Sequence, residues 1–318
     1  MKPLILLIII VLSLLVVVGV PIVIMFKITI PIAKKVCRDT LVKTSPDKWG
    51  RVCSAPDNEE QVAMWRSGIK WAELHREKMR EVSIVNDGLK LVGEYYDFGS
   101  DRCVLIVPGR CECLMYSYFY AQTYTGRTNV LVFDSRSHGL SQGDRSYLGF
   151  KENEDLLKWA EFAHDELGNK EIYLHGICIG AATAVQALTL DSTQPYITKL
   201  ILDGCYTTFY ETFKNHMIYD NRPVHPVIDE IRCILKKEIG VDMKKQGPIY
   251  LIHKVKVPTL FLSTSLDKFS LPEKTIELFN KCASSDKHLV WFDKGAHSHV
   301  RINNEEKYDE AVLNFIGL

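Results

Sequence analysis

The sequence carries no excess of either charge: 39 Lys and Arg stand against 39 Asp and Glu in 318 residues. No basic cluster interleaves with aromatic residues, so the electrostatic footprint of a nucleic-acid binder is missing and no nucleic-acid partner is expected. The nine cysteines include no C-x-x-C pair, and nine is an odd number. A complete disulfide framework and a zinc ribbon both fit that pattern poorly. Cys111 and Cys113 are too close to bridge easily, and His297 and His299 have no thiolates nearby in the chain. Reduced, mostly buried thiols are expected, with no metal and no cofactor. Internal repeats and low-complexity tracts are also missing.

What is present begins with a long apolar run. Pro3 to Phe26 contains no charged residue and exceeds the roughly 20 residues needed to cross a bilayer. A cleaved signal peptide is the competing reading, but its apolar stretch usually spans only about 7–15 residues, and no A-x-A site follows here. The expectation is an uncleaved transmembrane anchor over residues 1–35, making the membrane a partner. Lys27, Lys34, Lys35, Arg38 and Lys43 outnumber the positive charges on the other flank, which places the large domain in the cytoplasm. Asp39 to Asp57, with Pro46 and Pro56, reads as a linker. Val62, Trp65, Ile69, Ala72 and Met79 then recur at helical spacing, so residues 36–80 form a linker and an amphipathic helix.

Residues 81–318 have the length and the 47% hydrophobic content of one large core. Glu81 to Phe98 alternates around Asn86-Asp87-Gly88, the signature of a tight β-hairpin. Strands are expected at Arg102–Val107, Asn129–Phe133, Ile197–Leu202, Pro258–Ser263 and His288–Phe292. Helices are expected at Met115–Tyr124, Asn153–Leu167, Glu273–Cys282 and Glu305–Ile316. Short apolar strands alternating with helices predict an α/β fold with a mostly parallel sheet covered on both faces. Residues 206–254 break the alternation and predict a small helical lid above the carboxyl ends of the strands.

The chain is organised around Lys170 to Leu190, KEIYLHGICIGAATAVQALTL. An apolar strand runs into Gly176-Ile177-Cys178-Ile179-Gly180 and then into a helix-spaced run. This is the nucleophile-elbow pattern G-x-S-x-G with sulfur in place of the hydroxyl oxygen. Glycines flank Cys178 because a Cβ at either position would strike the neighbouring strand or helix, while the residue between them takes a strained turn. Cys178 also sits at a helix N-terminus, where free N–H groups and the dipole favour a thiolate.

Four stretches together resemble the α/β-hydrolase superfamily, over about Ser83 to Leu318. They look most like small, often membrane-anchored bacterial hydrolases related to serine aminopeptidases and esterases. Val107-Pro108-Gly109-Arg110 resembles the oxyanion turn after the third strand, with Pro108 replacing His. Asp134-Ser135-Arg136-Ser137-His138-Gly139-Leu140-Ser141 resembles the D-x-R-G-x-G-x-S segment, with Ser137 at a usual Gly. The elbow is the third stretch. Leu266-Asp267 with Gly295-Ala296-His297 is the fourth, and the order nucleophile, acid, histidine matches the superfamily.

The resemblance implies a triad of Cys178, His297 and Asp267. A free thiol, with a pKa of roughly 8.5, needs a base to become a thiolate at neutral pH. His297 follows Gly-Ala and is favoured; His299 is the reserve. Asp267, just beyond the penultimate strand, would hold the histidine's other nitrogen, with Asp203 the alternative acid. Asp134, His138 and His175 are read as structural. The backbone N–H groups of Ile179 and Arg110 would receive the developing oxyanion. Cysteine stands at this elbow in dienelactone hydrolases and in bile acid-CoA:amino acid N-acyltransferases. The implied reaction is cleavage of a small carboxylic ester or thioester through an acyl-cysteine. Transfer of the acyl group to an amine or alcohol, and a non-catalytic hydrolase-fold binding protein, are the rival readings. An apolar acyl portion is expected from Tyr116, Tyr118, Phe119, Tyr206, Phe209 and Tyr210 near the turns that border the site.

Overall fold

The computed structural model describes residues 2–191 and 194–318. The hairpin joins β1 (Met79–Asn86) to β2 (Leu89–Tyr96), and Asp87 and Gly88 turn it with φ of 49° and 74°. Positive φ at both central positions matches the twist of the paired strands, which is why Asp-Gly closes it. The other strands are β3 (Arg102–Val107), β4 (Asn129–Phe133), β5 (Glu171–Ile177), β6 (Ile197–Asp203), β7 (Thr259–Thr264) and β8 (Lys287–Phe292). They form one eight-stranded sheet in the order β1-β2-β4-β3-β5-β6-β7-β8. β1 and β2 are antiparallel, and β3 to β8 are mutually parallel. Every residue of β4 and β7 is buried, as a sheet covered on both faces requires.

The helices in chain order are α1 (Lys2–Ile24), α2 (Ile30–Leu41), α3 (Glu59–Leu74), α4 (Leu114–Ala121), α5 (Glu152–Asp165), α6 (Ile179–Ala187), α7 (Phe209–Tyr219), α8 (Val227–Ile239), α9 (Pro272–Lys281), α10 (Val300–Asn303) and α11 (Glu305–Ile316). Two apolar cores result. One packs α5, α6, α9 and the lid helices against the sheet; the other packs α3, α4 and α11 against the opposite face. The amphipathic helix expected before the hairpin is α3, and the Asn58 side chain caps it by accepting the Gln61 N–H at 3.0 Å. The segment expected as a lid consists of α7 and α8 with two 3₁₀ turns, inserted between β6 and β7.

The N-terminal helix is long and apolar enough to cross a membrane, and it continues beyond the apolar run. A π-helical turn, Met25–Thr29, leads into α2, which ends at Leu41. The polar stretch after it is docked on the domain. Lys43 N donates to Asp144 O at 2.7 Å, Ser146 N to Leu41 O at 2.8 Å, and Gly139 N to Trp49 O at 2.7 Å. Trp49 stacks on His138 with centroids 4.6 Å apart. These partners lie about a hundred residues away along the chain, and polar composition alone does not show them.

Candidate active site

β5 ends at Ile177 and α6 begins at Ile179, so Cys178 is the whole turn between them. Its φ of 54° and ψ of −112° are strained for a residue with a Cβ. The flanking glycines allow that turn through close approach. A Cβ at Gly176 would lie 2.5 Å from Ala181 Cα, and one at Gly180 would lie 2.1 Å from Val107 O. The Cys178 N–H donates to Asp203 O at 2.8 Å, fixing the elbow to the end of β6. The half-buried sulfur touches both cores.

His297 comes from the loop after β8. Its Nδ1 is 2.7 Å from Asp267 Oδ2. Asp267 sits beyond β7 and is 3% exposed. Its other oxygen accepts N–H groups of Phe269 and Ser270, both at 2.8 Å, so the carboxylate is held from three directions. Nε2 of His297 is buried and closes no hydrogen bond among the described residues. The Cys178 thiol adjoins the ring, and an open contact of this kind is common before substrate tightens a site. Burial pushes the ring toward its neutral form; the charges of Asp267 and Cys178 and the hydrogen bond that Nδ1 donates to Asp267 outweigh it and hold the imidazole well above its ordinary value.

His299, the reserve base, faces elsewhere. Its Nε2 meets Gln61 Oε1 at 2.8 Å and its Nδ1 lies 3.4 Å from Glu60, both on α3. Asp203, the alternative acid, is fully buried and accepts the Tyr308 hydroxyl at 2.8 Å; it makes no hydrogen bond to His297. Burial raises its carboxyl to about 6. Asp134 accepts Leu114 N at 2.8 Å and Leu140 N at 2.9 Å, the structural duty expected of it.

The two expected oxyanion donors, on the elbow and on the loop after β3, line one cleft. Ile179 opens α6, so its N–H has no acceptor within the helix. Arg110 follows Gly109 just past β3. Three residues unmarked in the sequence shape this surrounding. Glu112 folds back so that its carboxylate accepts Gly109 N at 2.9 Å, and burial raises its carboxyl above the ordinary range. Gly204, with φ of 62°, leaves room for His297: a Cβ there would come within 3.1 Å of the ring. Phe269 sets its ring edge-on to His297 at 5.7 Å, with His216 stacked behind it at 3.7 Å. The only signal for Glu112 is an acid three residues after the turn glycine; Gly204 and Phe269 give none.

The six rings expected to border an apolar pocket are core residues, 1–4% exposed. Tyr118 instead donates to Glu94 at 2.6 Å, and Tyr116 accepts Ser54 N at 2.7 Å. The cleft beside the turn after β3 takes its rings from Trp49, Phe133, His138 and Trp159 and reaches Ile179, while Cys178 and His297 are not among the described residues that line it. The six were expected from their place near the turns that border the site, and each is packed inside the domain.

No protein-family model matches the chain. The uncharacterized protein YqkD of Bacillus subtilis is 27% identical over 193 residues, spanning 59% of this chain and 62% of that protein. Protein bem46 of Schizosaccharomyces pombe is 26% identical over 189 residues, spanning 59% and 58%. Each match thus covers less than two thirds of the relative's length. Among solved structures, the Pyrococcus furiosus esterase Pf2001 superposes with a TM-score of 0.63 at 21% identity, over 77% of this chain and 94% of the esterase.

Proposed function

We propose that this chain, whose fold is that of the α/β hydrolases, is a hydrolase that cleaves a carboxylic ester or thioester through an acyl-cysteine on Cys178. The observation that carries the reading is the arrangement of His297: one nitrogen tied to Asp267, the other unclaimed beside a strained cysteine. A base oriented by a carboxylate and adjoining a nucleophile is the recurring geometry of acyl transfer.

The steps follow from the atoms present. His297 takes the thiol proton on Nε2, and the sulfur attacks the substrate carbonyl carbon. A carbon–sulfur bond forms while the carbonyl π electrons move to oxygen, where the N–H groups of Ile179 and Arg110 receive the charge. Losing one such donor costs about 3 kcal/mol of barrier stabilisation. Collapse breaks the bond to the leaving alkoxide or thiolate, which collects the proton from His297. Water, deprotonated by the same nitrogen, then attacks the thioester; carboxylic acid leaves and the thiolate is restored. Asp267 holds the ring through Nδ1 during both halves, and the imidazolium it favours is the form each half produces. The apolar helix α1 supports a membrane anchor.

The test is a screen of p-nitrophenyl esters and acyl-CoAs of several chain lengths with wild type, Cys178→Ser and Cys178→Ala. Turnover retained in part by serine and abolished by alanine supports the reading. Equal turnover in wild type and Cys178→Ala would end it.

A further inference from the structure

The segment that leaves the apolar helix is built into the lid. From Pro3 to Ile28 no residue is buried against the rest of the chain, and Thr29 is the first that is. Ala33, Cys37 and Leu41 continue at four-residue spacing, each no more than 3% exposed, and form a stripe against α8. Thr29 Oγ1 donates to Glu230 at 2.5 Å, and the Cys37 thiol lies 4.0 Å from Ile231 O. Just past α2, Val42 bridges Arg145, whose guanidinium is 3.9 Å from Glu238. The two helices are packed against each other along this stripe. The N-terminal end of α8 lies level with the point where the apolar helix leaves the domain.

Two further features attach this seam to the site and to a surface. Thr40 and Trp49 line the cleft beside the turn after β3 together with Val107, Arg110 and Ile179, the residue that follows Cys178. Lys34, Lys35 and Arg38 are exposed on the outward face of α2. Anionic headgroups attract basic side chains placed just beyond a membrane helix. At about 1.5 Å per residue, Leu41 stands only about 18 Å beyond Thr29, so the lid is held close to the bilayer.

We propose that α2 and α8 form one unit that seats the lid on the membrane surface, and that the substrate is a long-chain acyl amphiphile drawn from that bilayer. This rests on the hydrolase reading above and on α1 crossing the membrane. A flexible linker would let the domain meet dissolved esters in any orientation; a packed seam fixes one edge of the site toward lipid.

The test reconstitutes the full-length chain in vesicles of phosphatidylcholine and phosphatidylglycerol. Turnover is compared on p-nitrophenyl palmitate partitioned in those vesicles and on water-soluble p-nitrophenyl butyrate. One variant carries a flexible Gly-Ser insertion between Ile28 and Thr29, which keeps the seam and frees the domain from the surface. A second, K34E/K35E/R38E, changes only exposed positions. Each is expected to lose palmitate turnover, the insertion by about tenfold through lost effective concentration, while butyrate turnover stays at the wild-type value. Wild-type palmitate turnover in both variants, equal losses on both esters in the charge-reversal variant, or failure of the chain to associate with vesicles would overturn the proposal. Butyrate turnover that Cys178→Ala does not reduce would instead overturn the hydrolase reading, and this inference with it.

Discussion

His297, half-buried with its Nε2 enclosed, and His175, wholly buried, lie in the same domain within reach of a buried aspartate, and the fold drives them to opposite states. His297 gives Nδ1 directly to Asp267 and is held well above its ordinary value. His175 spends both nitrogens on tyrosine hydroxyls, Tyr124 at 2.9 Å and Tyr308 at 3.0 Å. Burial, with a smaller push from Arg301, takes it down to about 3. Asp203 lies one hydroxyl further on, behind Tyr308. Burial by itself neutralises an imidazole; a carboxylate in direct contact reverses the outcome. That one contact separates a candidate catalytic base from a structural histidine.

The comparison breaks most sharply at the base. His297→Ala is expected to lower kcat/KM by about 10⁴-fold or more, since removing one member of a cooperating triad removes most of its effect. His299→Ala should leave steady-state kinetics near wild type, because that ring serves α3. Asp267→Asn should lower kcat by about 10⁴-fold. It should also move the acid limb of the pH–rate profile to lower pH, since the carboxylate that favours the imidazolium is gone and the base stays neutral further down. Asp203→Asn should leave that limb in place, and a limb that follows Asp203 would reassign the acid.

Stability separates the two histidines in the opposite sense. His175 and His138, the latter lowered to about 4 chiefly by burial, take up protons in the unfolded chain before the folded one. Folding stability should therefore fall as pH drops below about 6.5 toward these values, and His175→Phe should flatten that slope in denaturant titrations. His297 works the other way: its contribution is present below the ordinary histidine value and is lost as pH rises through the raised one. A smaller effect is expected at the elbow. Gly180→Ala places a methyl against Val107 O and should destabilise the domain by about 1–3 kcal/mol in thermal or chemical unfolding.

Much of this was legible because it is local. The strand–turn–helix of the elbow, the Asp-Gly hairpin and the alternation of buried strands are written in adjacent residues, and the structure reproduces Arg102–Val107, Asn129–Phe133 and Glu305–Ile316 at the expected bounds. The candidate triad was legible only through the order of four motifs, since nothing near Asp267 announces a partner thirty residues away. What stayed hidden depends on packing between distant segments. Glu112 beneath Gly109, Gly204 beneath the His297 ring and the seam between α2 and α8 join positions that no periodicity connects. The burial of the six aromatic rings was hidden for the same reason, because position near a turn does not say how deeply a ring will pack.

The account turns on whether the sulfur of Cys178 carries the acyl group. Intact-protein and peptide mass spectrometry after a brief acid quench of wild type with p-nitrophenyl palmitate measures this directly. One palmitoyl increment on the peptide containing Cys178, absent from Cys178→Ala and greatly slowed in His297→Ala, is the predicted result. Turnover of the same ester with no acyl mass on that peptide, or with the label on another cysteine, would contradict it.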